Sequence, residues 1–233
     1  MKLLLLGRGK TGSLVGDVAR ERGHAVTVYG RAEATAPNAL SREALASYDA
    51  VVDFTSPEAV MGNVEACARS GKPTVIGTTG WYGAMDGVRK MVEQNKVAAV
   101  WGSNFSVGVN LFYAMLRSAA AAATYGYEFH ISETHHVHKK DAPSGTAVAI
   151  RNVLTSAAGA SGTAPAIEIT SHRRGEVMGR HEVTLSSPVD TITLVHDAKS
   201  RRGFAEGAVL AAEWVVAQRH PGLYDFSDIF PQL

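Results

Sequence analysis

A chain of 233 residues with 45% hydrophobic and 19% charged residues is long enough for two ordinary domains with real cores, and too apolar to be disordered. Its formal net charge of +1 supplies no overall field toward nucleic acid or an anionic membrane, so neither is expected as a partner. The single cysteine, Cys67, excludes an internal disulfide and a cysteine-based metal centre, and fits a packed thiol in a reducing compartment.

The first element in chain order is a short apolar strand over residues 2–6 (KLLLL), too short for a secretory leader. No run reaches the roughly 18 apolar residues of a membrane span, so a cytoplasmic protein is expected. Glycines at 7, 9 and 12 follow as a turn, and residues 13–22 read as a helix stopped by Gly23. Strands over residues 25–29, 50–54, 74–76 and 97–101 alternate with helices over 57–70 and 85–94. That alternation predicts βαβ units and a parallel sheet covered on both faces, a Rossmann-type α/β domain.

Near residue 107 the rhythm changes. A helix over 111–123 leads to residues 127–132, where Phe129 and Ile131 alternate with polar neighbours as in a strand with one wet face. A helix over 144–157, a small-residue loop over 157–164, and strands over 166–170, 181–186 and 191–197 predict a second, α+β domain with a mostly antiparallel sheet. A closing helix over 204–218 ends near Pro221 and Gly222.

GRGKTG, residues 7–12, matches G-x-G-x-x-G between a predicted strand and a predicted helix. Glycines at Gly7, Gly9 and Gly12 permit a tight turn and close backbone approach. The helix start turns N–H groups, with Arg8, Lys10 and Thr11 beside them, toward a pyrophosphate. A dinucleotide site of the NAD type carries an acidic residue about 20 positions on, at the end of the second strand. Here that place reads Tyr29-Gly30-Arg31, and the Arg31 guanidinium suits a 2′-phosphate, which favours NADPH while leaving NADH open. Gly77, Thr78 and Thr79, then Ser103, Asn104, Phe105 and Ser106, follow later parallel strands, where they would line the nicotinamide end.

The densest chemistry lies in ETHHVHKKDAPSGTA, residues 133–147. A metal site is disfavoured, because H-H-x-H lacks a nearby cysteine or an i, i+4 pair and because Lys139 and Lys140 would oppose a dication. Continued strand geometry places Glu133, His135 and Lys139 on the inward side with Phe129 and Ile131, and His136 and His138 on the other. An enclosed imidazole exchanges protons near neutral pH, and a neighbouring ammonium would lower the pKa of both groups. Asp141 reads as a cap residue and Pro143 as a first-turn residue of the following helix. The N–H groups near Ser144, Gly145 and Thr146, with the Thr146 hydroxyl, are candidates for holding a substrate carboxylate.

These stretches, with VVDFTSP (51–57), IGTTG (76–80), SNFSVGVN (103–110), GRHEV (179–183) and SRRGFAEGA (200–208), resemble the 4-hydroxy-tetrahydrodipicolinate reductase (dihydrodipicolinate reductase) family over essentially the whole chain. The resemblance implies a Rossmann domain of residues 1–106 and 201–233, completed by the C-terminal helix. It also implies a mixed-sheet domain of residues 107–200 that binds substrate and assembles a homotetramer. It implies NAD(P)H-dependent reduction of 4-hydroxy-tetrahydrodipicolinate to tetrahydrodipicolinate with loss of water, in lysine and diaminopimelate biosynthesis. His135 would then be the acid/base group and Lys139 the proton donor. His136, Gly145 and Thr146 would bind the dicarboxylate, and the 77–79 and 103–106 segments the cofactor. The chain departs from the family in a glycine loop one residue shorter than G-x-x-G-x-x-G and in the missing acidic ribose ligand. Two other readings remain open at this point: a related nicotinamide-dependent imine reductase or amino-acid dehydrogenase, and a dinucleotide sensor without turnover.

Overall fold

The computed structural model describes residues 1–159, 165–218 and 220–232. In chain order, strand β1 (Lys2–Leu6) leads through the glycine turn to helix α1 (Lys10–Glu21), β2 (Ala25–Tyr29) and two single-turn helices, α2 (Arg31–Ala34) and α3 (Arg42–Leu45). Then come β3 (Ala50–Asp53), α4 (Pro57–Arg69), β4 (Thr74–Ile76), α5 (Met85–Gln94) and β5 (Ala98–Trp101). Helix α6 (Val107–Ala119), continued by 3₁₀ turns, precedes β6 (Glu128–His135) and α7 (Gly145–Gly159). Strands β7 (Glu168–Arg173), β8 (Arg180–Ser186) and β9 (Thr191–Asp197) follow. The chain closes with α8 (Arg202–Ala217), β10 (Gly222–Asp225) and α9 (Phe226–Ile229).

The described residues form two compact units, Met1–Val107 with Arg202–Leu233, and Gly108–Arg201. In the first unit the strands run parallel in the order β10-β5-β4-β3-β1-β2. β1 is buried on both faces, which is why it reads as an unbroken leucine run. Leu3 and Leu5 pack with Val15 and Val18 of α1 and with Ala208, Val209 and Ala212 of α8. Leu4 and Leu6 point the other way, onto Leu45, Val51 and Cys67. Burial raises the Cys67 thiol to about 12, so it is an inert core residue.

Two features of this unit differ from the expectation. α1 begins at Lys10, three residues earlier than predicted, because Gly9 serves as its N-cap and both Thr11 and Gly12 lie in its first turn. After α8 the chain returns as a further strand, β10, parallel to β5 with Gly222 opposite Ala98. Four residues, GLYD, are too few to show a period, and only the open edge of β5 makes them a strand.

In the second unit the order is β7-β6-β8-β9, with β6–β7 parallel and the other pairs antiparallel, so the sheet is mixed. Phe129, Ile131, Val183 and Leu185 on one face pack against Phe112 and Leu116 of α6 and Ile150 and Leu154 of α7. α6 starts at Val107, before the predicted residue 111. α7 takes in Ala157 to Gly159, and the rest of the expected loop, residues 160–164, lies outside the described residues. Among the described residues no helix is long and apolar enough to cross a membrane.

Candidate active site

β1 and β3 are where strand order reverses in the first sheet, and a ligand crevice forms outside the carboxyl ends of strands at such a switch point. A cavity of about 360 Å³ lies there. It is lined by Gly9, Lys10, Thr11 and Gly12 after β1, by Phe54, Thr55 and Pro57 after β3, and by Gly77, Thr78 and Thr79 after β4.

Close packing that only glycine allows frames this space. Gly7 has φ +106°, and a Cβ there would stand 2.1 Å from the Phe54 carbonyl oxygen. A Cβ on Gly12 would meet the Gly7 carbonyl at 2.6 Å, and one on Gly77 would enter the Phe54 ring at 2.2 Å. Gly9, by contrast, opens onto empty space at the start of α1, and no side chain caps that helix. A bare helix N-terminus at the floor of a glycine-walled cavity fits the pyrophosphate of a dinucleotide.

The carboxylate behind the cavity, Asp53, is fully buried and was not singled out in the sequence. Its Oδ1 accepts from the Thr55 amide (2.9 Å), the Thr55 hydroxyl (2.6 Å) and the Thr78 hydroxyl (2.9 Å), and its Oδ2 from the Asn63 amide (2.9 Å). These bonds join the loops after β3 and β4 into one wall. A buried carboxylate needs such donors, and an aspartate at a strand end beside Thr and Asn is the signal that could have found it.

At the end of β2, Arg8 folds across Gly30, donating to the Val28 carbonyl (3.2 Å) and pairing with Glu33 (2.7 Å). Arg31 is exposed at the first position of α2. Of the segment after β5, Ser103 is exposed and Asn104 accepts from the Ser106 amide (2.9 Å). Phe105 is only 2% exposed and packs against Phe226 and near Phe54, so its side chain is a core element rather than a cofactor contact.

In the second unit, β6 alternates as predicted, burying Phe129, Ile131, Glu133 and His135. The sheet register then sets Glu133 directly opposite His181 of β8 and opposite Ser171 of β7, with His135 opposite Arg173. His135 Nδ1 makes a short hydrogen bond to Glu133 Oε2. Glu133 Oε1 accepts from Arg173 Nη1 (3.0 Å) and from the Ser144 amide (3.3 Å). Burial alone would raise the Glu133 pKa, but bonds from Ser171, Arg173 and His135 outweigh it, and the carboxyl is held below its ordinary value.

His135 is pushed below its ordinary value, first by burial and then by the cations of Lys139 and Arg173, against the pull of Glu133. The expectation named the ammonium as the cause; burial comes before it. His181, edge-on to His135 at 5.1 Å, is lowered further, to about 4, chiefly by burial. One donor atom each from Glu133, His135 and His181 lies within 4.8 Å of the others. Glu133 is already committed to its hydrogen-bond donors, with a guanidinium among them, and that set suits a proton-handling carboxylate.

β6 ends at His135, so strand parity carries no further, and a turn closed by the Lys139 amide on the His136 carbonyl (3.1 Å) sets the position of Lys139. Lys139 pairs with Asp141 at 2.8 Å. His138 and Lys140 are exposed, and His136 Nδ1 is buried with no hydrogen-bond partner among the described residues. The helix cap differs from the expectation. Ser144, not Asp141, caps α7, since its hydroxyl accepts from the Ala147 amide (3.1 Å), and Pro143 precedes the cap. Ser144 is 1% exposed and also bonds His181 Nε2 (3.2 Å), so its hydroxyl is committed within the fold. Gly145 is exposed at the mouth of the helix, and a Cβ there would meet nothing within 4 Å.

A parallel sheet of this order with a glycine-walled cavity at its switch point, joined in one chain to a buried carboxylate–imidazole pair, defines a nicotinamide-dependent oxidoreductase. Family models described as dihydrodipicolinate reductase, N-terminus and C-terminus, match residues 1–105 and 108–230. The chain belongs to the dihydrodipicolinate reductase family. It is 38% identical to the 4-hydroxy-tetrahydrodipicolinate reductase of Natronomonas pharaonis, covering 98% of this chain and 99% of that one. It is 33% identical to that of Christiangramia forsetii, covering 100% and 99%. A solved dihydrodipicolinate reductase from Paenisporosarcina sp. TG-14, bound to dipicolinate, superposes with a TM-score of 0.74 over 98% of this chain and 99% of that one; at 22% identity it supports the fold.

Proposed function

We propose that this protein catalyses the NAD(P)H-dependent reduction of 4-hydroxy-tetrahydrodipicolinate to tetrahydrodipicolinate, in lysine and diaminopimelate biosynthesis. The observation that carries the reading is the buried Glu133–His135 pair, followed within a few residues by the Lys139 turn and the start of α7. In the net reaction one C–O bond breaks, one C–H bond forms, and the hydroxyl leaves as water after taking a proton. A bound reduced nicotinamide supplies the hydride.

The chain's own residues handle the rest. Glu133 fixes the His135 ring through Nδ1, so that Nε2 is the nitrogen that exchanges a proton. Lys139 delivers the proton, and its ion pair with Asp141 aims the side chain until substrate arrives. The start of α7 at Gly145 and Thr146, with His136 Nδ1, which has no partner among the described residues, takes the substrate carboxylates. Residues 1–106 and 201–233 serve as the dinucleotide domain and 107–200 as the substrate and assembly domain.

Two finer points belong to the same reading. Arg8 and Arg31 flank Gly30 at the end of β2 where the ribose binds, and Glu33, the nearest carboxylate, is paired with Arg8; this supports NADPH over NADH. The face of the second sheet turned away from α6 and α7 presents half-buried Ser132, Thr134 and Thr184, and it pairs chains into a cytoplasmic homotetramer. Sedimentation at four times the 24.7 kDa chain mass is the expected result, and a monomer would overturn it.

The decisive experiment is oxidation of NADPH driven by the condensation product of pyruvate and aspartate semialdehyde. Turnover supports the reading. Oxidation only with a different imine would assign a related reductase, and tight NADPH binding without oxidation would assign a sensor.

A further inference from the structure

Arg173, at the end of β7, has no part in the chemistry described above, yet three of its nitrogens reach three separate pieces of the site. Nη1 donates to Glu133 Oε1 at 3.0 Å, Nε to the Lys139 carbonyl at 3.2 Å, and Nη2 to the Asp141 carbonyl. We propose that Arg173 is the positioning residue that locks His135 and Lys139 into one working arrangement; the inference rests on the reductase reading.

The geometry follows from sheet register. β6 and β7 run parallel with His135 opposite Arg173, which brings the guanidinium alongside the Glu133–His135 pair and under the turn that follows β6. Residues 136–144 form no regular element. Their attachments to the sheet include the Val137 amide on the Gly175 carbonyl (3.1 Å) and the two carbonyls held by Arg173. A planar fork with fixed donor directions can serve a carboxylate and two diverging carbonyls together, whereas an ammonium cannot. Arg173 is therefore coupled to both proton-handling residues: to His135 through the carboxylate that orients it, and to Lys139 through the backbone on either side of Lys140.

Arg173 touches neither proton-exchanging atom, so it acts through others. The groups facing His135 are Glu133 on its own strand, Arg173 from β7, His181 from β8, and Lys139, itself paired with Asp141, from the turn. α7 presents the Ser144 amide to Glu133. Of the cations, Lys139 and then Arg173 oppose protonation of His135, and removal of Arg173 moves the pH limb that reports His135 to higher pH.

The test begins with wild-type turnover on the substrate above; its absence would refute the reductase reading and leave Arg173 out of account. In an active enzyme, Arg173→Ala is expected to lower kcat about 10²-fold, as a displaced catalytic group does, with NADPH affinity unchanged and the His135 limb moved up. Arg173→Lys separates charge from clamp: its pH profile should stay near wild type while kcat remains low. Added guanidinium should restore part of the alanine variant's kcat. Wild-type kcat and pH profile in a folded Arg173→Ala protein would overturn the proposal. If that variant does not fold, Arg173→Lys decides alone, and wild-type kcat there would overturn it equally.

Discussion

The cavity at the end of β1 and the histidine site at the end of β6 both lie where a strand gives way to a helix N-terminus, but they are made of different materials. The first is shaped by close packing that only glycine allows: at Gly7, Gly12 and Gly77 a methyl group would collide with the Phe54 carbonyl, the Gly7 carbonyl or the Phe54 ring. The second is shaped by charges out of water: Glu133, His135, Arg173 and His181 hold one another in a buried hydrogen-bond set. A site of the first kind is sensitive to volume and indifferent to pH. A site of the second kind is sensitive to any change of charge.

The sharpest break of this contrast is Gly7→Ala. A Cβ 2.1 Å from a carbonyl oxygen, at a φ of +106°, forces the loop to move, and the strained backbone alone costs about 1–3 kcal/mol. NADPH binding, followed by nicotinamide fluorescence, should be lost while the second unit's pH behaviour persists. Retained affinity would show that the loop is softer than its packing.

The second unit should show the opposite signature in stability. His181 titrates near 6.5 when unfolded and is lowered to about 4 in the folded chain, so between those values the unfolded state binds more protons. Stability is therefore full above about 6.5 and falls by about 3 kcal/mol as pH drops to about 4. Urea unfolding across that window measures it, and His181→Asn should flatten the curve. Lys139→Ala should lower kcat by about 10²-fold with NADPH binding intact, the loss expected for a general acid; near wild-type kcat would remove its role. The smallest effect is at the cavity rim: Arg31→Ala should raise KM about tenfold for NADPH and little for NADH, as one charge-assisted contact would. Equal changes would mean that Arg31 is only solvated.

Several parts of this molecule are readable without coordinates because short-range rules govern them. The β1 leucine run, the glycine spacing and the alternation of β6 follow in turn from burial on both faces of a parallel strand, from glycine's freedom and from a period of two residues. Local rules failed where a contact from elsewhere decides. In DAPSGT the sequence offers Asp141 as the cap, but Ser144 is the cap, its hydroxyl also meeting His181, 37 residues away. Phe105 reads as part of a polar ligand loop, yet it fills the space between Phe54 and Phe226.

By itself, then, the amino-acid order determined that strands alternate with helices in the first part, that a glycine turn opens the first helix, and that Glu133 and His135 face inward together. The partners of those two residues were decided by the tertiary structure alone. Arg173 and His181 lie 40 and 48 positions from Glu133 along the chain, and only the parallel register of β6 with β7 and the antiparallel register of β6 with β8 bring them across from it. Periodicity fixes which side of a strand a residue occupies; the neighbouring strand, chosen by burial of the whole sheet, fixes what it meets there.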